Sequence, residues 1–129
     1  MKILVVDDET DVRTLFEQRF RREIRSGQFA FSFAYSGEQA LNYLQAHASE
    51  VVLILSDINM PGMSGLELLR HIREEYAAPP PPQVMMITAY GDQDSREQAL
   101  QLGANDFLTK PVDFAALKAK LVALETHEN

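Results

Sequence analysis

Five polar side chains stand where short apolar segments of this 129-residue chain end. Three are acids, Asp7, Asp8 and Asp57, and the other two are Thr88 and Lys110. Carboxylates brought together repel one another, and burial adds to the cost, unless a cation neutralises the group. Oxygen ligands without thiolate or a nearby histidine favour Mg²⁺, with Mn²⁺ as the alternative. Because an ammonium and a hydroxyl suit the oxygens of a tetrahedral anion, the set predicts a phosphoryl site.

The apolar segments before these residues are typical of strands in a parallel sheet. The third is apolar without alternation, as expected of a central strand covered on both faces. The others are short, rich in β-branched or aromatic residues, and bounded by polar or turn residues. The predicted strands are Lys2–Val6, Phe29–Ala34, Val51–Leu55, Val84–Ile87 and Asn105–Leu108.

Helical periodicity separates these strands. Apolar residues recur at steps of three and four from about Thr10 to Arg25, after the capping-box serines Ser36 and Ser64, and after the cap residue Asp113. A shorter polar helix is predicted from about Asp94 to Leu102. Five strands alternating with five helices predict a doubly wound α/β sandwich of three layers. In such sheets ligands bind beyond the carboxyl ends of the strands, where the five polar residues lie.

Composition limits the classes of function. With 46% hydrophobic residues the chain can bury one core, so we expect a single domain over residues 1–129. No apolar run approaches the roughly 18 residues of a membrane span, and no secretory signal is evident, so we expect a soluble, cytoplasmic protein without a membrane partner. The absence of cysteine excludes disulfides and thiolate metal sites, and the net charge of -7 argues against direct nucleic-acid binding.

Pro79–Pro82 is interpreted as a stiff spacer, with a docking role as the alternative.

Four motifs resemble the receiver domains of two-component response regulators, in that family's order and over nearly the whole chain. The resemblance implies the flavodoxin-like, CheY-like fold with strand order 2-1-3-4-5. The motifs are Val5-Val-Asp-Asp8, Leu55-Ser-Asp-Ile-Asn-Met-Pro-Gly-Met-Ser-Gly65, Ile87-Thr-Ala89 and Leu108-Thr-Lys-Pro111.

The resemblance implies a role for each site residue. Asp57 becomes the nucleophile that takes a phosphoryl group from a phosphohistidine of a sensor histidine kinase or phosphotransfer protein. Asp8 would ligate Mg²⁺ directly, Asp7 mainly through water, and Asn59 through its backbone carbonyl, with Asp57 completing the protein ligands. Lys110 would offset charge on the phosphoryl oxygens.

The resemblance also implies a switch. Thr88 would move toward the phosphoryl group, and Phe107 would turn into the vacated space. The face of the fourth helix, fifth strand and fifth helix would then change shape and could form a homodimer interface. Phe107 lacks the hydroxyl of the tyrosine that many members carry there.

Three further expectations follow from the family pattern. The Lys110–Pro111 peptide should be cis, which aims the lysine. Asn59 and Tyr90 should flank the water path and tune the loss of phosphate. The effector that receives the signal is not evident in the sequence.

Two other functions stay open at this point. A Mg²⁺-dependent acid-nucleophile phosphohydrolase would use similar chemistry, but such enzymes typically have one residue between the first two acids, and here Asp7 and Asp8 are adjacent. A pseudo-receiver that works without phosphorylation is the third reading, against which the intact acid, threonine and lysine set argues. The leading interpretation is a signalling module and not a conventional enzyme.

Overall fold

The computed structural model describes residues 1–89 and 91–126, and a five-stranded parallel sheet forms its centre. The spatial order is β2-β1-β3-β4-β5, and every neighbouring pair runs parallel. The predicted sheet and strand order are therefore confirmed. The strands are β1 Lys2–Val6, β2 Ala30–Ala34, β3 Leu53–Asp57, β4 Gln83–Thr88 and β5 Asp106–Thr109.

Six helices, not five, occur in the described residues, because the first predicted helix is two. It is interrupted at Phe20, where φ is -112° and ψ is 26°. No proline or glycine marks the break; the Phe20 ring is buried and packs edge-on against Phe29 and Phe114. The predicted count of five helices was wrong because helical periodicity continues across the break. The helices are α1 Asp11–Arg19, α2 Arg21–Ser26, α3 Gly37–His47, α4 Gly65–Glu75, α5 Gln93–Gln101 and α6 Phe114–Thr126.

The sheet separates two hydrophobic cores, which gives the three predicted layers. Successive residues of a strand point to opposite faces, so Leu4 joins the core with α3, α4 and α5, and Val5 joins the core with α1 and α6. Both faces of β3 are covered, and all five of its residues are buried. The unbroken apolar run that predicted a central strand is explained by this double coverage.

The predicted caps form at three helix ends. Ser36 accepts from the Gln39 N–H, and Ser64 accepts from the Glu67 N–H. Asp113 accepts from two backbone N–H groups in the first turn of α6. Each cap satisfies N–H groups that have no partner inside the helix. In the part of the chain that the structure describes, no helix combines the length and the apolar character needed to cross a membrane.

Candidate functional site

Three carboxylates meet at the carboxyl ends of the neighbouring strands β1 and β3. Asp7, Asp8 and Asp57 each offer an oxygen, and these oxygens all lie within 4.8 Å of one another. Asp57 is 2% exposed and Asp7 is 7% exposed, whereas Asp8 is open to solvent. Pairing of Val6 with Ser56 sets this register, so the residue after each partner lies at the same edge of the sheet. The sheet therefore brings together acids that are about fifty positions apart in the sequence.

Lys110 reaches the most buried of these acids. Its Nζ donates to Asp57 Oδ2 at 2.6 Å, and its backbone N–H donates to the Thr88 carbonyl at 2.8 Å. The peptide bond from Lys110 to Pro111 is cis. Burial alone would lower the pKa of the Lys110 ammonium, but the hydrogen bond and charge of Asp57, with Asp7 behind it, outweigh burial and raise that pKa. A permanent cation thus lies against the Asp57 carboxylate.

The pKa of Asp7 is shifted mainly by burial and further by the neighbouring acid. Burial raises the pKa of the Asp7 carboxyl, and the charge of Asp57 raises it further. The Glu9 N–H, which donates to Asp7 Oδ1 at 2.9 Å, and the charge of Lys110 act in the opposite direction without cancelling the effect. A second cation at the cluster would relieve this repulsion, and the all-carboxylate donor set fits a hard divalent ion.

Asn59 and Thr88 are two further residues predicted for the site. The Asn59 N–H donates to Asp57 Oδ1 at 3.2 Å, so each oxygen of the carboxylate has one donor. Thr88 is buried, and its hydroxyl donates to the Leu108 carbonyl at 3.5 Å, the long limit of a hydrogen bond. The Thr88 hydroxyl can therefore change partner at small cost.

The two remaining predicted residues are Phe107 and Tyr90. Phe107 lies on β5, half-buried, with the guanidinium carbon of Arg96 at 5.2 Å from its ring centroid. Tyr90 lies outside the described residues, so its predicted part in phosphate loss stays a prediction.

The structure adds Gly65, which the sequence reasoning used only as part of a motif. Its N–H donates to the Ile58 carbonyl at 2.8 Å, and a Cβ at this position would lie 2.1 Å from the Asp57 carbonyl oxygen. The first turn of α4 therefore packs directly on the backbone that carries the acid. A glycine directly after a capping serine was the available signal.

Glu38 is a second addition. Its carboxylate accepts from the Met63 N–H at 3.1 Å and so ties the loop between β3 and α4 to the start of α3. Met63 packs over Gly37, where a Cβ would approach its sulfur to 2.7 Å. No periodic pattern could predict this contact, because it joins a loop to the first turn of a helix 25 residues away.

An open cleft of about 870 Å³ lies along α1. Its lining includes Asp7 and Lys110 of the site, and Leu15, Pro111 and Phe114 contribute apolar surface. The cleft thus borders two of the site residues without being lined by Asp57.

Comparison with known proteins identifies a family for this chain. A family model described as the response regulator receiver domain matches residues 3–122. The chain is 37% identical over 125 residues to the response regulator RppA of Synechocystis, covering 97% of this chain and 50% of that protein. It is 41% identical over 125 residues to the response regulator protein PilR of Pseudomonas aeruginosa, covering 95% and 25%. The chain thus spans half or less of these two relatives.

Solved structures show the same fold. A response regulator receiver protein from Pseudomonas putida has a TM-score of 0.78 at 31% identity, over 95% of this chain and 94% of that one. A receiver domain protein from Clostridium thermocellum has a TM-score of 0.83 at 25% identity, over 98% and 95%. With the family model matching most of the chain, this protein belongs to the response regulator receiver domains of two-component systems.

Proposed function

We propose that this receiver accepts a phosphoryl group on Asp57 from a sensor histidine kinase or a phosphotransfer protein. The observation that carries the proposal is the buried Asp57 carboxylate, held by Lys110 at 2.6 Å within a cluster of three acids. An Asp57 oxygen attacks phosphorus, and the new oxygen–phosphorus bond forms as the phosphorus–nitrogen bond of phosphohistidine breaks. The imidazole nitrogen leaves with the electron pair of that bond.

Lys110 and Asn59 prepare the carboxylate for this attack. One Asp57 oxygen accepts from the Asn59 N–H and the other from Lys110 Nζ, so the group cannot rotate freely. The raised pKa of Lys110 keeps it charged, and its ammonium can pass from the carboxylate to a phosphoryl oxygen as negative charge moves there. Catalysis by these residues consists of positioning and charge.

Asp7, Asp8 and Asp57, with the backbone carbonyl of Asn59, would hold Mg²⁺, and Mn²⁺ could replace it. The bound ion supplies positive charge for the phosphoryl oxygens. The fit rests on the acid cluster, whose three carboxylates each offer an oxygen within 4.8 Å of the others. All the side-chain donors are oxygens, as Mg²⁺ prefers.

The proposed output is a change of the face formed by α5, β5 and α6, which are the fourth helix, fifth strand and fifth helix of the sequence prediction. Thr88 would exchange its long bond to Leu108 for a phosphoryl oxygen, and Phe107 would turn inward behind it. A contact available only after modification changes the balance between two conformers. We also propose that this face acts on a downstream effector domain or protein, that it can form a homodimer, and that the receiver works in the cytoplasm.

Phosphorylation can be tested by incubation with Mg²⁺ and phosphoramidate, followed by intact-mass measurement. We expect one phosphoryl adduct in the wild type and none in Asp57→Asn. Asp106→Asn is the matched control, because Asp106 also pairs with a lysine, Lys120, at 2.6 Å but lies outside the acid cluster. It should retain the adduct.

The same assay separates the alternatives. A wild type without an adduct would point to the pseudo-receiver and refute the proposal. Rapid turnover of ordinary phosphomonoesters would instead support the phosphohydrolase. An adduct that persists in Asp57→Asn would place the acceptor elsewhere.

A further inference from the structure

Arg96 contacts an aromatic ring on the proposed output face. Its guanidinium carbon lies 5.2 Å from the centroid of the Phe107 ring, within the range of a cation–π interaction. Arg96 is half-buried on α5, and none of the ion pairs among residues 1–89 and 91–126 includes it. The aromatic ring is thus a specific partner of this charge.

Phe107 is held from two sides. One side of its environment is the hydrophobic core beneath α3, α4 and α5, and Arg96 covers the ring from α5. Phe107 pairs with Met86 across the β4–β5 ladder, and the next residue, Leu108, accepts the Thr88 hydroxyl. The ring therefore lies one residue from the contact that Thr88 must give up when it turns toward a phosphoryl group.

We propose that Arg96 is a positioning residue that stabilises the unphosphorylated conformer by holding the Phe107 ring at the α5–β5 surface. The inference rests on the proposed function, because Arg96 can favour one conformer only if phosphorylation of Asp57 switches the receiver between two. If Phe107 turns inward, the ring leaves the guanidinium, and only the resting state keeps the interaction. An interaction of this type at a half-exposed site biases the two conformers by about two- to fivefold.

The bias can be measured through the affinity of beryllofluoride, a phosphoryl mimic, in the presence of Mg²⁺. When the competent conformer is the minor one, apparent affinity rises in proportion to its population. We therefore expect Arg96→Ala to bind beryllofluoride about two- to fivefold more tightly than the wild type. Arg96→Lys keeps a cation and should lie between the two. Arg96→Met keeps most of the length without the charge and should resemble Arg96→Ala.

Arg13→Ala is the matched control. Arg13 lies over the Phe33 ring at 5.6 Å, a similar contact on the opposite side of the sheet from Phe107. Its removal should leave beryllofluoride affinity unchanged. In parallel, 4-fluorophenylalanine at position 107 reports ring populations by fluorine NMR without any phosphoryl mimic, and Arg96→Ala should raise the inward population.

The outcomes separate this inference from the proposed function. If the wild type binds beryllofluoride while Arg96→Ala changes neither affinity nor ring populations, the role of Arg96 is refuted and phosphorylation of Asp57 stands. If Arg96→Met behaves as the wild type, packing and not charge holds the ring, which also overturns the proposal. A wild type that neither binds the mimic nor takes up phosphate refutes both.

Discussion

Replacing Gly65 by alanine is expected to damage the Asp57 site more than the stability of the domain. A Cβ at Gly65 would lie 2.1 Å from the Asp57 carbonyl oxygen, about 1.3 Å inside the 3.4 Å at which ordinary contact begins. The clash is with backbone, so α4 or the Asp57 peptide must move. Overpacking of this kind costs about 1–3 kcal/mol, of which the helix propensity of alanine returns up to about 1 kcal/mol.

A shift of the Asp57 backbone is expected to affect the rate of phosphorylation more than the stability of the domain. A reacting group misplaced by about 1 Å can lose about a hundredfold in rate. We therefore expect Gly65→Ala to lower the rate of phosphorylation by phosphoramidate about a hundredfold, measured by intact mass over time. Urea unfolding of the same variant should show a loss of about 1–2 kcal/mol.

Gly37→Ala is the matched control, because Gly37 also follows a capping serine. The three nearest atoms to its new Cβ all belong to the Met63 side chain, with the sulfur at 2.7 Å and the Met63 Cβ at 2.9 Å. The sulfur can move aside, but relief at the Met63 Cβ requires a small shift of the backbone, so we expect some loss of stability. The phosphorylation rate should stay close to the wild type, because this clash is with Met63 and not with the Asp57 backbone. If Gly65→Ala phosphorylates as fast as Gly37→Ala, close packing of α4 does not position Asp57.

Four further predictions concern charge, stability and assembly. Lys110→Met should keep the fold by circular dichroism but slow phosphorylation about a hundredfold or more, because one fixed charge is lost; an unchanged rate would contradict its role. The hydrogen bond and charge of Lys118, 2.8 Å away, lower the pKa of the Glu23 carboxyl below its ordinary 4.5. The pair is therefore fully stabilising above about pH 4.5, and its contribution is lost as pH falls through the lowered pKa of Glu23 in the folded state. Glu23→Gln should thus cost up to about 1 kcal/mol at pH 7 and less at pH 3, by urea unfolding. Equal losses at the two pH values would refute this. Arg73→Met should cost about 1–3 kcal/mol in the same assay, because its guanidinium donates to the Gly103 carbonyl after α5 and to the Pro82 carbonyl before β4. A neutral effect would show that water replaces these bonds. Light scattering should show a larger mass with beryllofluoride than without, since α5 and α6 carry exposed apolar side chains, and an unchanged mass would count against the dimer.

Elements with strong local signals could be predicted from the sequence. The continuous apolar run of β3 reflects burial on both faces, and the capping serines mark the starts of α3 and α4. The break at Phe20 could not be predicted, because no local residue type signals it. The buried ring at the break packs against Phe31 of β2 and Phe114 of α6, which are distant in the sequence.

The site divides in the same way. The residue types at strand ends indicated divalent cations and phosphate, and the motif order indicated the family, because both are written in local sequence. Only the tertiary structure determines which donor bonds each carboxylate oxygen of Asp57. Lys110 is 53 residues from Asp57 in the chain, yet pairing of β3 with β4 and of β4 with β5 brings them to 2.6 Å. The contact of Arg96 with Phe107 has the same origin, since periodicity predicts which face of an element is apolar and not which side chain of another element lies against it.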